Sequence, residues 1–260
     1  MFKKSLLISI FLGLSLSAAT ITKEQCSTKG ENFIFAGGEC IEYKAYEGDT
    51  DEALTIIVHG TWDEGTNTLG RYAPFAESVA FQTDVTTVAV ALPGYSNSST
   101  NNFPALSHEG ANNLSANKAY IEFLSELVAS LKEKFEASSV TYVGHSAGCS
   151  MGSTLLGIKQ DVVNNLLCAG GNFFASQEKG AKDLISVVDV LDNVSKDVKI
   201  ALVYGTEDKI SKPKVTKDFY KIAKDKGFNV KLIEAKGAPH LDLDMTDASV
   251  NAIIELIEEE

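Results

Sequence analysis

A chain of 260 residues with 44% hydrophobic content has enough apolar material for one α/β domain with a sizeable core. Its formal net charge is −12 and it has no basic cluster, which excludes a phosphate-neutralising surface and with it a nucleic-acid partner. The acidity favours solubility and repels anionic surfaces.

The chain opens with Met1-Phe2-Lys3-Lys4, a mainly apolar run over residues 6–16, and the small residues Ser17-Ala18-Ala19. Charge, a short apolar stretch and a small-residue exit describe a secretory signal peptide over residues 1–19. The apolar run is too short for a transmembrane helix, and no cysteine follows Ala19 to carry a lipid. Residues 20–260 are therefore expected to form a single exported domain, periplasmic or secreted, with no stable membrane anchor. Loss of Lys3 and Lys4 takes the net charge from −12 to −14. The cysteines, Cys26, Cys40, Cys149 and Cys168, are even in number, which in an exported chain permits two disulfides. Cys26 and Cys40 are expected to staple the N-terminal end; Cys149 and Cys168 either pair or stay as buried thiols. Neither CxxC nor HxxxH occurs, so no metal or other cofactor is expected.

In chain order, residues 31–46 supply one or two short strands, antiparallel at a sheet edge. Residues 54–58 form a β-rich run ending at His59-Gly60. A helix is predicted over 72–81 and a buried strand over 86–92, stopped by Pro93-Gly94. Residues 95–113 are rich in Ser and Asn and read as a long loop. Tyr120, Leu124, Leu127, Leu131 and Phe135 recur at helical spacing. A strand over 140–143 leads into Gly144-His145-Ser146-Ala147-Gly148, and a helix follows to Leu156. Next come a strand over 166–169, a helix over 177–191, a strand over 198–204, a helix over 214–226, a strand over 230–234 and a helix over 247–258. Such alternation implies a mostly parallel sheet covered by helices on both faces.

The chemistry centres on Gly144-His145-Ser146-Ala147-Gly148, a G-x-S-x-G motif set between a predicted strand and a predicted helix. Glycines on either side of the serine let strand and helix approach closely. A serine hydroxyl needs a base, and the chain holds four histidines. His145 adjoins the serine, His59 ends a strand and suits a bracing role, and His108 lies in a polar loop. His240 follows the last predicted strand in Gly237-Ala238-Pro239-His240 and is assigned as the base. Asp208, just past the 198–204 strand, is assigned as the orienting acid, with Glu207 in reserve. The order Ser, acid, His marks one hydrolase architecture among several convergent triads. The backbone N–H of Ala147 supplies one oxyanion donor; Thr61 supplies the second, with Trp62 as the alternative. Trp62 and Tyr95 are assigned to the substrate pocket, and core packing is the competing role for Trp62.

His59-Gly60, Leu92-Pro93-Gly94-Tyr95-Ser96, the elbow at 144–148, Gly205-Thr206-Glu207-Asp208 and Pro239-His240 resemble the α/β-hydrolase superfamily in order and spacing. The resemblance runs from Leu54 to the end of the chain. It implies an eight-stranded, mostly parallel sheet and a serine hydrolase acting on an ester-type small molecule, a carboxylic ester or thioester. Acyl transfer or peptide hydrolysis on the same triad, or a non-catalytic binding role on a hydrolase scaffold, are the alternatives. Residues 170–197 are too few for the large helical cap many members carry, which leaves the 95–113 loop as the other place for a lid.

Overall fold

The computed structural model describes residues 20–111 and 113–258. The expected signal peptide lies outside the described residues. After a short capped helix α1 (Lys23–Ser27), strands β1 (Phe33–Ala36), β2 (Glu39–Tyr46) and β3 (Thr50–Val58) lead to helix α2 (Leu69–Thr83) and strand β4 (Val85–Val90). Helix α3 (Lys118–Lys134), strand β5 (Ser139–His145), helix α4 (Ala147–Ile158) and strand β6 (Asn165–Ala169) follow. A one-turn helix α5 (Val187–Val190), strand β7 (Lys199–Gly205), helix α6 (Pro213–Asp225), strand β8 (Asn229–Ala235) and helix α7 (Asp247–Glu258) complete the chain.

The strands form one eight-stranded sheet in the order β1-β2-β4-β3-β5-β6-β7-β8. From β4 to β8 every neighbouring pair is parallel, while β2 pairs antiparallel with β4 and β1 antiparallel with β2. The near-continuous burial of β3, β5 and β6 reflects helices on both faces, as a parallel sheet requires. On α3 the buried stripe includes Tyr120, Leu124, Leu127 and Leu131, and the Asn117 side chain caps the helix by accepting from the Tyr120 N–H. Because β3, β5, β7 and β8 run the same way, their C-terminal ends gather His59, Ser146, Asp208 and His240 along one sheet edge, where open α/β sheets carry their sites.

The helix expected over 177–191 is not formed. A 3-10 turn at Ala175–Gln177 is followed by irregular chain up to α5. Gly180 and Asp183 take positive φ, at 88° and 56°, and Leu184 makes an isolated bridge with Asn117. Ser186 then starts a fresh helix through a capping box with Asp189. These local choices compete with, and defeat, the helical apolar spacing. Among its described residues the 95–113 loop contains no regular element before a 3-10 turn at Leu114–Ala116. Its apolar residues Ala105 and Leu106 are buried in the core, and Phe103 packs against Tyr120 and Phe123.

Cys26 is bonded to Cys40 and Cys149 to Cys168, with Cα–Cα separations of 5.5 and 4.6 Å. The second bridge ties the first turn of α4 to β6. Among the described residues no helix is long and apolar enough to cross a membrane.

Candidate active site

Ser146 stands alone between β5 and α4 with φ 52° and ψ −114°. A non-glycine residue held there costs about 1–3 kcal/mol, a strain that persists only where surrounding packing enforces it. The packing is visible at the flanking glycines. A Cβ on Gly144 would lie 2.7 Å from the Cys149 backbone nitrogen, and one on Gly148 would meet the Val58 and His59 carbonyls. Side chains at either position would push α4 off the sheet and relax the turn.

His240 arrives from the turn after β8. Its Nε2 lies 2.9 Å from Ser146 Oγ and its Nδ1 2.8 Å from Asp208 Oδ2. A carboxylate only accepts, so Nδ1 carries the hydrogen and the bare Nε2 faces the serine hydroxyl. Asp208 is buried, and its other oxygen accepts from the Ile210 and Ser211 N–H groups, both at 2.8 Å. Three donors thus hold the carboxylate in one orientation. Glu207, the reserve acid, is exposed beside it.

The other histidines have different partners. His59 Nδ1–H donates to the Gly60 carbonyl at 2.6 Å, and Nε2 accepts from the Leu92 N–H at 3.1 Å. Full burial pushes its pKa down to about 4, so it bridges the loops after β3 and β4 as a neutral ring. His108 pairs with Glu64 at the surface, 2.7 Å apart. His145 is buried, and its Nε2–H donates to the His240 carbonyl at 2.9 Å.

Ala147 is the first residue of α4, so its N–H has no carbonyl within the helix to meet. The loop carrying Thr61 passes against the serine: a Cβ on Gly60 would sit 2.8 Å from Ser146 Cβ. Thr61 itself is exposed and Trp62 half-buried. Tyr95, expected in the pocket wall, is fully buried instead; its hydroxyl donates to the Trp62 carbonyl at 2.9 Å and its ring meets His59 edge-on. The phenol thus braces the Thr61–Trp62 loop from behind, because the Pro93-Gly94 turn directs the ring inward toward His59. Trp62 packs against the core, and the Arg71 guanidinium lies 5.3 Å from its ring centre. Ile210 and Leu241, two large apolar side chains left exposed, directly follow the Asp208 and His240 turns. No cluster of His, Cys, Asp or Glu able to hold a metal occurs among the described residues.

Sequence reasoning missed Asp244. It lies four residues past His240, is 1% exposed, and neither carboxylate oxygen has a hydrogen-bond partner among the described residues. Burial raises its pKa from the ordinary carboxylate value; His145, then its own backbone, then Arg71 and His240 oppose that rise. The only sequence signal is the run His240-Leu241-Asp242-Leu243-Asp244, two carboxylates close behind the assigned base.

Neither a protein-family model nor a curated protein sequence matches the chain significantly. Solved structures do. Est1E from Butyrivibrio proteoclasticus, determined with ferulic acid bound, superposes with a TM-score of 0.64 at 17% identity, covering 87% of this chain and 98% of Est1E. The Pyrococcus furiosus esterase Pf2001 gives a TM-score of 0.66 at 14% identity, over 87% of this chain and 88% of its own. A CIB-like hydrolase from Thermoplasma acidophilum gives 0.64 at 14% identity, over 88% and 97%. The chain has the α/β-hydrolase fold.

Proposed function

We infer that this protein is an exported serine hydrolase that cleaves a small ester-type substrate, a carboxylic ester or thioester, through an acyl-enzyme at Ser146. The observation that carries the reading is the unbroken chain of hydrogen bonds from Asp208 through His240 to the strained Ser146. Ser146 Oγ attacks the carbonyl carbon while His240 Nε2 takes its proton. Negative charge builds on the carbonyl oxygen, and the N–H groups of Ala147 and Thr61, with Trp62 as alternative to Thr61, receive it. Asp208 steadies the imidazolium that forms. His240 then protonates the leaving alcohol or thiol. A water molecule, giving a proton to His240, attacks the acyl-enzyme, and collapse returns the acid product and free Ser146.

Two disulfides among the described residues agree with an oxidising compartment. The short 170–197 connection and the inward-facing apolar residues of the 95–113 loop leave the site without a deep roof. Short and medium acyl chains are therefore the proposed substrates, since a long chain would leave methylenes in water at about 0.8 kcal/mol each. The test combines fluorophosphonate labelling with turnover of p-nitrophenyl esters from acetyl to palmitoyl. Labelling at Ser146, abolished in Ser146→Ala, together with turnover that does not favour the longest chains, is the expected outcome. Labelling that persists in Ser146→Ala would remove the serine from its role.

A further inference from the structure

His145 is tied to both reacting groups. It is joined by one peptide bond to Ser146, and its Nε2–H holds the main-chain carbonyl of His240. The two imidazole rings lie 5.0 Å apart, centre to centre, tilted by 40°. On the far side, Tyr72 Oη stands 3.4 Å from His145 Nδ1. Burial raises the pKa of that phenol, so it stays protonated and faces the bare nitrogen as a donor. The ring is thereby kept with its hydrogen on Nε2, toward His240.

Asp244 adjoins this arrangement from the 3-10 turn at Leu243–Met245, which packs on β5, β6, β7 and α7. The charged and titratable groups facing it are His145 at the end of β5, Arg71 and Tyr72 on α2, and His240 from its own turn. Arg71 is engaged with Asp242. Asp208 approaches His240 from β7. A buried carboxylate with no hydrogen bond destabilises a fold, so its presence beside the site calls for a compensating use. The charge that develops there is the one on His240.

We propose that His145 and Asp244 act as positioning residues for His240. His145 holds its main chain against the elbow, and Asp244 supplies a second negative charge that steadies the ring once it has taken the serine proton. This rests on the reading of Ser146, His240 and Asp208 as a triad.

The test uses the full mature chain and measures kcat and KM on p-nitrophenyl acetate against pH, with thermal melts alongside. His145→Ala should lower kcat about tenfold or more with KM little changed, the signature of a displaced base. His145→Gln should keep clearly more activity, because its amide N–H can reach the same carbonyl. In Asp244→Asn and Asp244→Ser the acid limb of kcat/KM should move to lower pH by about one unit, and the plateau should fall. The sign follows from the charge: with a negative neighbour gone the imidazolium forms less readily, so His240 loses its proton at lower pH. A variant that is folded but merely loosened would lower activity without moving the limb. His145→Gln as impaired as His145→Ala, or a limb unmoved in whichever Asp244 variants fold, would overturn the proposal. Turnover surviving in Ser146→Ala would instead overturn the reading of the site on which it rests.

Discussion

Glu39 and Asp244 are both carboxylates withdrawn from water, at 0% and 1% exposure, and their surroundings could hardly differ more. Glu39 begins β2, the strand between the edge strand β1 and β4. Its oxygens accept from the Ser99 hydroxyl and from the N–H groups of Asn101, Asn102 and Phe103. Ser99 in turn exchanges hydrogen bonds with the Cys40 backbone, next to the Cys26–Cys40 bridge. Four donors from residues 99–103 thus converge on Glu39 and pin that stretch to the sheet. Among the described residues neither Asp244 oxygen has a hydrogen-bond partner at ordinary length, and its burial is offset by neighbouring groups, His145 first, and by its own backbone. A buried carboxylate that is fully satisfied builds structure. One left unsatisfied costs stability. Asp208 combines the two situations, satisfied by three donors, one of which is the base itself.

The sharpest way to separate these roles is to change carboxylates one at a time. Asp208→Asn should lower kcat/KM by about 10⁴-fold, because the amide would present a donor to His240 Nδ1 and favour the wrong tautomer. Melting temperature should change far less than activity. A variant with near-normal turnover would shift the acid role to Glu207.

Glu39→Ala should do the opposite. It removes the acceptor of one buried and three part-buried donors, at about 1–3 kcal/mol for each that water cannot reach, for a total loss of about 3 kcal/mol. For a domain of this size that lowers Tm by about 6–12 °C. Glu39→Gln keeps one good acceptor and should fall between. Turnover by the folded fraction should stay near wild type. A stability loss confined to the experimental error would mean that the loop is held by its apolar residues alone.

The neighbouring bridge supports the same edge. Replacing Cys26 and Cys40 by alanine should cost about 3 kcal/mol in the chain-entropy view, read from urea unfolding. Non-reducing peptide mapping identifies both bridges independently.

The smallest effect belongs to Asp244→Asn, and its sign is the informative part. Asp244 titrates higher in the folded chain than in the unfolded one. The folded state therefore binds more protons between the two pKa values, and stability falls as pH rises from the unfolded value through the folded one. Removing the carboxyl removes that loss. Asp244→Asn should match wild type at acid pH and be the more stable of the two at neutral pH. Urea unfolding at both pH values checks it. A variant less stable than wild type at neutral pH would show that Asp244 has donors after all.

Much of the fold is legible along the chain because it is locally specified. Alternating strand and helix patterns give parallel pairing; the boundaries of α7 and of β6 to β8 fall within a residue or two of the expected ones. The 177–191 helix was misread because the apolar spacing there is outweighed by Gly180, Asp183 and the capping pair Ser186–Asp189. Tyr95 departs from its expected place in the pocket wall because burial of a ring beside a Pro-Gly turn depends on His59 and Trp62, some thirty residues away in sequence, as the Tyr95–Trp62 hydrogen bond shows. The sequence alone does not decide the pairing of Cys149 with Cys168 for a like reason: it needs β6 to lie beside β5, which carries α4 after it.

By itself the sequence determined what neighbouring residues can enforce. Glycines flank Ser146, so a tight strand-to-helix turn can form there, and Ser, Asp and His follow one another at the ends of successive predicted strands. The tertiary structure alone decided which groups meet across those ends. His145 reaches the His240 carbonyl only because β5 and the turn after β8 come together over the sheet edge. Asp244 and Glu39 look alike in sequence, each an acid beside apolar residues. Among the described residues one is given four donors and the other none, because hydrogen bonding depends on which distant backbone is folded against it, and the residue type carries no record of that.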